Sequence, residues 1–238
     1  MLHLEDVSAI PFLNDIDGVE EYQHRARVRA ANGDLYATVT ASDPDYEAYC
    51  TETLGIGEPE WVDLRTTTHP LAVAQACLEP EPLRHLVDRT RSGEGLVIHP
   101  YMSIEDVWTL ADRLARESGV DVTVLGPPPP VTWIANDKAL FTELVALVLG
   151  PGFTPETHEA CDAQHLTSLL LEMAGRHDVV GIKRTRCASA MGNLVLPALP
   201  MRAQRATTVQ SRVDAFLQRT EWPGDEPVLA VAWERASS

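Results

Sequence analysis

The first half of the chain alternates between short apolar runs and stretches whose apolar residues recur every three to four positions. The short runs predict strands over residues 35–40, 61–64, 95–99 and 120–125. The periodic stretches predict helices over 44–54, near 70–78, over 80–90 and between Ser103 and Gly119. Strands that alternate with helices are typical of a mostly parallel sheet with both faces covered. The pattern therefore predicts a Rossmann-like α/β layer, from which the GxGxxG motif of a dinucleotide site is absent.

Residues that favour helix ends support these boundaries. Asp43 precedes Pro44, a pair that suits an N-cap followed by the first helical position, and Gly55 is expected to end that helix. Ser103 is predicted to cap the next long helix, and Gly119 to end it.

The second half begins with an interruption, because Gly126 is followed by four prolines at 127–130. Such a run favours a stiff, extended connector. Beyond it the pattern predicts helices over 137–149, 162–174 and 207–219 and strands over 178–183, 193–199 and 227–233. Asn136 is the expected N-cap of the first helix. The sequence thus predicts a Rossmann-like domain at 1–130, and a linker helix with a small α+β unit at 131–238.

Composition excludes several classes of partner. The net charge is −16 and the acidic residues are dispersed, so nucleic acid is not expected, because binding its phosphates needs a basic surface. No run approaches the roughly twenty apolar residues of a membrane helix, and the first residues lack the pattern of a signal peptide. The four cysteines have no ligand spacing, which favours reduced thiols and a cytoplasmic location.

Metal binding and familiar catalytic motifs are not predicted. The eight histidines form neither HxH nor HExxH. His99 is placed at the carboxyl end of a predicted strand, where α/β sites form, but anchoring a loop is the commoner role of such a residue. No serine lies in a nucleophile elbow, and the sequence identifies no catalytic residue.

The two lysines are the most distinctive basic residues, since all other cationic side chains are arginines. Lys138 lies in the first turn of a predicted helix, where the helix dipole opposes a cation unless an anion binds there. Lys183 ends a predicted strand and leads into a loop of small and polar residues (184–193), which could fold over phosphate. The alternatives are a solvated lysine and an ordinary surface hairpin, with lysine scarcity reflecting residue usage alone.

Three segments in order carry a resemblance to a known family. They are Asn136-Asp-Lys138, Val180-Gly-Ile-Lys183 and Ser189-Ala-Met-Gly-Asn193. Together they resemble the ATP-grasp superfamily, and most closely the peptide or carboxylate–amine ligases that carry a Rossmann-like pre-ATP-grasp domain. The resemblance covers nearly the whole chain and implies a parallel α/β domain followed by the ATP-grasp lid subdomain.

The resemblance also implies roles for particular residues. Lys138 and Lys183 would bind the ATP phosphates, and a flexible loop would close over them through Ser189, Met191, Gly192 and Asn193. Trp233 and Glu234 would lie at the adenine hinge. The family usually has glycine where this chain has Ala190, which narrows the available backbone angles.

The resemblance further implies that the residues that bind Mg²⁺ lie in a following ATP-grasp half, which would come after Ser238 in cis or be supplied in trans. The implied reaction joins a small carboxylate to an amine through an acyl-phosphate. Two alternatives stay open. One is a non-catalytic nucleotide-binding or assembly subunit of a split or decayed ATP-grasp enzyme. The other is an unrelated Rossmann-like enzyme that acts on a small metabolite.

Overall fold

The structure is a computed structural model that describes residues 1–11, 16–65, 67–68, 70–93, 95–187 and 190–234. The chain divides into two compact units, Met1–Thr132 and Trp133–Ser238. The first contains a five-stranded parallel sheet and the second a four-stranded antiparallel sheet. The predicted fold class, a Rossmann-like α/β layer followed by a small α+β unit, is confirmed.

The sheet of the first unit has the strand order β3-β2-β1-β4-β5. Its strands are β1 (Leu2–Leu4), β2 (Leu35–Thr38), β3 (Glu60–Asp63), β4 (Leu96–Pro100) and β5 (Val122–Val124). All neighbouring strands pair in parallel. The central strand β1 is missing from the sequence prediction, because three residues are too few to show a strand pattern.

Helices cover this sheet and connect its strands. They are α1 (Pro44–Ala48), α2 (Val73–Ala76), α3 (Pro80–Ser92) and α4 (Glu105–Ser118), with a 3₁₀ helix over Val19–Arg29 and a π-helical turn over Tyr49–Thr53. Asp43 caps α1 as predicted, since its side chain accepts hydrogen bonds from two first-turn amides. Gly119 ends α4 in the left-handed conformation, with φ of 73°.

Two sequence predictions in this region are wrong. Ser103 is not the N-cap of α4, because that position belongs to Ile104. The Ser103 hydroxyl instead accepts a hydrogen bond from the indole of Trp108 at 2.9 Å. The proline run is not extended throughout, because helix α5 (Pro129–Asn136) starts within it. Proline suits the first turn of a helix, where its missing N–H has no partner to lose.

The sheet of the second unit has the order β6-β9-β7-β8 and is antiparallel throughout. Its strands are β6 (Thr157–Ala160), β7 (Val179–Arg184), β8 (Asn193–Pro197) and β9 (Val228–Ala232). Its helices are α6 (Lys138–Leu149), α7 (Ala163–Met173), α8 (Ala198–Arg202) and α9 (Ala206–Arg219), with a 3₁₀ turn over Pro151–Phe153. The last strand, β9, therefore lies inside the sheet. Neither β6 nor α8 was predicted from the sequence.

The two faces of the antiparallel sheet differ. One face packs against α7 and α9 in an apolar cluster that includes Val180, Ile182 and Ala230. The opposite face carries Leu229 and Val231, which pack with Ala139 from the first turn of α6. Because strand residues alternate between faces, Gly181 and Lys183 lie on this second face together with α6.

Among the residues that the structure describes, no helix combines the length and the apolar character needed to cross a bilayer.

Candidate functional site

The amino end of α6 lies beside the loop that follows β7. Asp137 is the N-cap of α6, and its Oδ1 accepts from the amides of Ala139 and Leu140 at 3.0 and 3.2 Å. The prediction of Asn136 as the cap is wrong, because α5 continues through Asn136 and leaves the extended cap conformation to the next residue. The buried carboxylate of Asp137 also accepts from Arg186 Nε at 2.9 Å. The helix start is thereby tied to the loop.

Lys138 makes a second connection between α6 and this loop. Its backbone amide donates to the carbonyl of Thr185 at 3.0 Å. Its Nζ donates to the carbonyls of Thr185 and Cys187 at 3.3 and 2.9 Å. These are neutral acceptors, so they orient the ammonium without neutralising its charge. Lys138 therefore holds the loop against the helix and keeps its positive charge there.

Lys183 lies on the same face of the sheet, next to the indole of Trp233. Its Nζ is 4.9 Å from the centre of that ring, which is within the range of a cation–π contact. The ring lies against Gly181, where a Cβ atom would come within 2.6 Å of Trp233 Cε3. Only glycine leaves room for the indole in this position, a requirement that sequence reasoning did not identify.

Lys183 has no counter-charge among the residues that the structure describes. Burial lowers the pKa of Lys183 below its ordinary value, and the nearby Lys138 lowers it further. No carboxylate among the described residues forms an ion pair with either lysine. An anion that binds beside two cations that repel each other favours their charged forms. This face of the sheet can therefore attract phosphate.

The two loop arginines are used differently from the lysines. As residues of the predicted phosphate loop, Arg184 and Arg186 would add positive charge to the site if they were exposed and unpaired. Arg184 is buried instead, and its guanidinium pairs with Glu226 and donates to the carbonyl of Thr220. Arg186 pairs with Asp137. Both arginines are neutralised by carboxylates of the same unit, so they stabilise the fold around the loop.

The last residues of the predicted phosphate loop form a tight turn that leads into β8. The amide of Arg184 donates to the carbonyl of Gly192 at 2.8 Å, and the amide of Asn193 donates to that of Ala190 at 3.0 Å. A Cβ at Gly192 would come within 2.8 Å of the Arg184 Cβ and would also clash with the Cys187 sulfur, so glycine is required there. Met191 is half-buried. Ser189, the remaining predicted loop residue, lies outside the described residues.

Asn193 and Ala190 are the two unusual residues of this turn. Asn193 is opposite Lys183 in the β7–β8 ladder, and its buried Oδ1 accepts no hydrogen bond from the described residues. Ala190 adopts φ of 61°, a left-handed conformation that glycine adopts more readily. The turn thus keeps backbone strain and an unsatisfied polar atom beside the lysine.

The predicted adenine hinge follows β9. The amide of Trp233 donates to the carbonyl of Val179 at 3.0 Å, so this N–H is used within the sheet. Glu234 is exposed at the end of the described chain. The other predicted hinge residue, Glu234, follows the last residue of this strand whose N–H bonds within the sheet.

No group of three or more potential metal ligands was found among the described residues. The site geometry therefore consists of two lysines, an indole and a strained turn, all in the second unit. It suits the binding of an anion next to a flat ring.

Comparison with known proteins bears on the first unit. Residues 23–116 match the family model of the pre-ATP-grasp domain. No curated protein matches the sequence. The first unit therefore contains a pre-ATP-grasp domain, which confirms the predicted relationship to the ATP-grasp superfamily at the level of this domain.

Several solved structures are similar to the chain. D-alanyl-alanine synthetase A from Vibrio cholerae O1 biovar eltor str. N16961 has 11% identity and a TM-score of 0.41 over 59% of this chain and 38% of that one. The RimK domain protein ATP-grasp from Sphaerobacter thermophilus DSM 20745 has 12% identity and a TM-score of 0.44 over 85% and 64%. D-cycloserine synthetase DcsG has 19% identity and a TM-score of 0.41 over 84% and 58%. The chain thus spans less than two thirds of each of these proteins.

Proposed function

We propose that the second unit binds ATP and that the chain is the N-terminal part of an ATP-dependent carboxylate–amine ligase that acts through an acyl-phosphate. The proposal joins the pre-ATP-grasp domain of the first unit to the motif order that begins at Asn136-Asp-Lys138. The observation that carries it is the uncompensated charge of Lys183, half-buried on the sheet face and repelled by Lys138.

The residues of this face fit a nucleotide in chemical type. Lys183 and Lys138 supply the positive charge for phosphate oxygens, as compact and flexible donors that need no bidentate geometry. The indole of Trp233 offers an apolar wall for a flat base. Gly192 and Asn193, with Met191, lie in the turn that would cover the phosphates, the resemblance assigns Ser189 to the same loop, and the backbone of Glu234 would meet the base edge.

Each lysine has a distinct part in this arrangement. Lys183 has no hydrogen-bond acceptor among the described residues, so its three protons are available to a ligand. Lys138 already donates to two carbonyls and keeps the loop in place, so it contributes charge and position more than direct contact. ATP would supply the phosphoryl group that activates the carboxylate. The Mg²⁺ ligands are assigned to a following ATP-grasp half, in cis or in trans.

Calorimetric titration of the chain with ATP and ADP tests the nucleotide site. We expect Lys183→Ala to weaken binding by at least about tenfold, because a hydrogen bond to a charged group contributes roughly 1.5–3 kcal/mol. Lys138→Ala should weaken it less. The control is Arg212→Ala, which removes an exposed cation from α9. Equal affinity of the unsubstituted chain and Lys183→Ala would reject the site.

The ligase part of the proposal has its own test. ADP release is measured with Mg²⁺ and a mixture of amino acids, first for this chain and then with an ATP-grasp half added or fused after Ser238. We expect turnover only in the second case, and only with Lys183 intact. Nucleotide binding without turnover in every combination would favour the alternative, a non-catalytic nucleotide-binding or assembly subunit.

A further inference from the structure

The parallel sheet of the first unit carries two histidines on one face. Leu2, Leu4 and Ile98 are fully buried on the other face. His3 and His99 are neighbours where β1 and β4 pair, and their ring centres are 5.2 Å apart. On the same face Tyr36 is next to His3 and packs with Trp61 in an apolar cluster. The histidine pair therefore lies where β1 and β4 meet.

Strands β1 and β4 meet at the topological switch point of the sheet. After β1 the chain adds β2 and β3 on one side, and it then returns to add β4 and β5 on the other. In open parallel sheets, ligands bind outside the carboxyl ends of the strands at such a point. The residues at these ends are Glu5 after β1 and Tyr101 after β4, and the Tyr101 amide donates to the Leu4 carbonyl at 2.8 Å.

A compact charged cluster occupies this position. Glu5 is only 3% exposed, and its carboxylate pairs with Arg25 at 2.8 Å and Arg29 at 2.6 Å, both from the 3₁₀ helix. Two guanidinium groups against one carboxylate leave an excess of one positive charge. Burial raises the pKa of Glu5, although the arginines oppose this. The excess charge therefore favours an anion at this edge.

Arg25 is the accessible member of the cluster. Its side chain is 45% exposed, whereas Glu5 is covered by the two arginines. The guanidinium lies between the rings of Tyr22 and Tyr101, at 4.4 and 4.8 Å from their centres. Its Nε donates to the Tyr22 carbonyl and its Nη2 forms the ion pair with Glu5, while no described residue accepts a hydrogen bond from Nη1. The open edge of the guanidinium is thus held in a fixed orientation.

A second orphan donor lies in the same cluster. The Nε of Arg29 is buried without a partner among the described residues, although its Nη2 donates to Glu5 and to the Leu4 carbonyl. Buried donors are nearly always satisfied in folded proteins. With an unpaired guanidinium donor next to an exposed one, the cluster has more donors than acceptors among the described residues.

We propose that the carboxyl edge of β1 and β4 binds a small carboxylic acid, as its carboxylate, through the open edge of Arg25, with the exposed ring of Tyr101 as an apolar wall. A carboxylate matches the planar fork of a guanidinium. An amine is disfavoured, because the only carboxylate of the cluster, Glu5, is buried beneath two cations. The site lies wholly in the first unit and does not depend on nucleotide binding.

Three glycine derivatives test the chemistry of the ligand on the full chain. N-acetylglycine carries a carboxylate without an ammonium, glycinamide carries an ammonium without a carboxylate, and N-acetylglycinamide carries neither. Saturation-transfer NMR should show binding of N-acetylglycine alone. Binding of glycinamide in preference to N-acetylglycine, or no binding of N-acetylglycine, would overturn the proposal.

Variants then locate the site. Arg25→Gln should weaken N-acetylglycine binding by about tenfold or more, since it removes a charged donor, and Arg25→Lys should retain part of it. Arg89→Gln is the matched control, because this partly exposed arginine also pairs with a carboxylate, that of Glu60, in the same unit. Lys183→Met must leave binding unchanged, which separates this site from the nucleotide site. Equal binding by Arg25→Gln, with its thermal unfolding unchanged, would refute the assignment.

Discussion

Arg27 of the first unit and Lys183 of the second are both basic side chains withdrawn from water, but their surroundings differ. Arg27 is 1% exposed, and its guanidinium donates to the Glu47 carboxylate at 2.6 Å and to the Gly57 carbonyl at 2.8 Å. Lys183 has no carboxylate partner among the described residues and faces a second lysine. The arginine has its counter-ion in the fold, whereas the lysine has none among the described residues.

Such a difference is expected between a cation that stabilises the fold and one that binds a ligand. Taking a charge out of water costs several kcal/mol unless a partner compensates it. Glu47 gives that compensation to Arg27 and is held in turn by the Tyr36 hydroxyl at 3.2 Å. Burial alone would raise the pKa of Glu47, but the hydrogen bond from Arg27 holds it below its ordinary value. Burial raises the pKa of Tyr36, and the neighbouring Glu47 carboxylate raises it further. Removing Arg27 should therefore lower the free energy of unfolding, whereas removing the charge of Lys183 should leave it unchanged or raise it slightly.

The largest effect is expected for Arg27→Met, which keeps much of the side-chain volume and removes the charge. We expect a loss of about 3 kcal/mol in the free energy of unfolding, because breaking a buried pair leaves a carboxylate without its partner. Urea denaturation followed by tryptophan fluorescence measures this. The control Arg84→Met, on an exposed arginine of α3, should leave stability unchanged. A loss below about 1 kcal/mol would mean that Glu47 is solvated as easily without Arg27.

The sequence predicts an element well where its apolar periodicity and the residues that favour its ends indicate the same boundary. Helix α4 shows apolar residues at helical spacing and ends at Gly119, so both its existence and its end were predicted. The 3₁₀ helix over Val19–Arg29 shows no such periodicity, since its buried residues include Gln23, His24 and Arg27. Those side chains are buried because they bond to partners far along the chain, which no local pattern reveals.

The same limit applies to the candidate site. The two lysines were singled out from motif and scarcity, and the structure brings them to one face of the second unit. The cap was assigned to Asn136 because Asn and Asp are equally good caps, and only the length of α5 decides between them. The carbonyl partners of Lys138 and the close approach of Trp233 to Gly181 depend on tertiary contacts. Their roles in nucleotide binding stay predictions.

Lys183→Met is expected to have a smaller effect of opposite sign. The pKa of Lys183 is lowered in the folded protein, so folding is opposed while the lysine is charged, and this cost disappears as pH rises past its ordinary value of 10.5. We expect the variant to be as stable as the unsubstituted chain or up to about 1 kcal/mol more stable at pH 7. The difference should shrink towards pH 10.5.

Thermal unfolding with and without ADP distinguishes a lysine that binds the ligand from one that stabilises the fold. Lys183→Met should lose the stabilisation by ADP, which follows from mass action on the folded state, while its own unfolding temperature does not fall. Lys138→Met serves as the comparison, since it removes the contacts to Thr185 and Cys187 and should lower the unfolding temperature. A clear loss of stability in Lys183→Met without ligand would show that this lysine is structural, like Arg27.

The smallest effect concerns the strained turn beside Lys183. Ala190→Gly should raise the free energy of unfolding by about 0.5–1 kcal/mol, because a left-handed alanine at φ of 61° pays a steric cost that glycine avoids. Ala203→Gly is the matched control, since this exposed alanine has φ of −90° and should lose stability. If ADP binding weakens in Ala190→Gly while stability rises, the strain holds the turn ready for phosphate. If Ala190→Gly is destabilised as Ala203→Gly is, the turn carries no strain, and the second unit differs from the first in its charges alone.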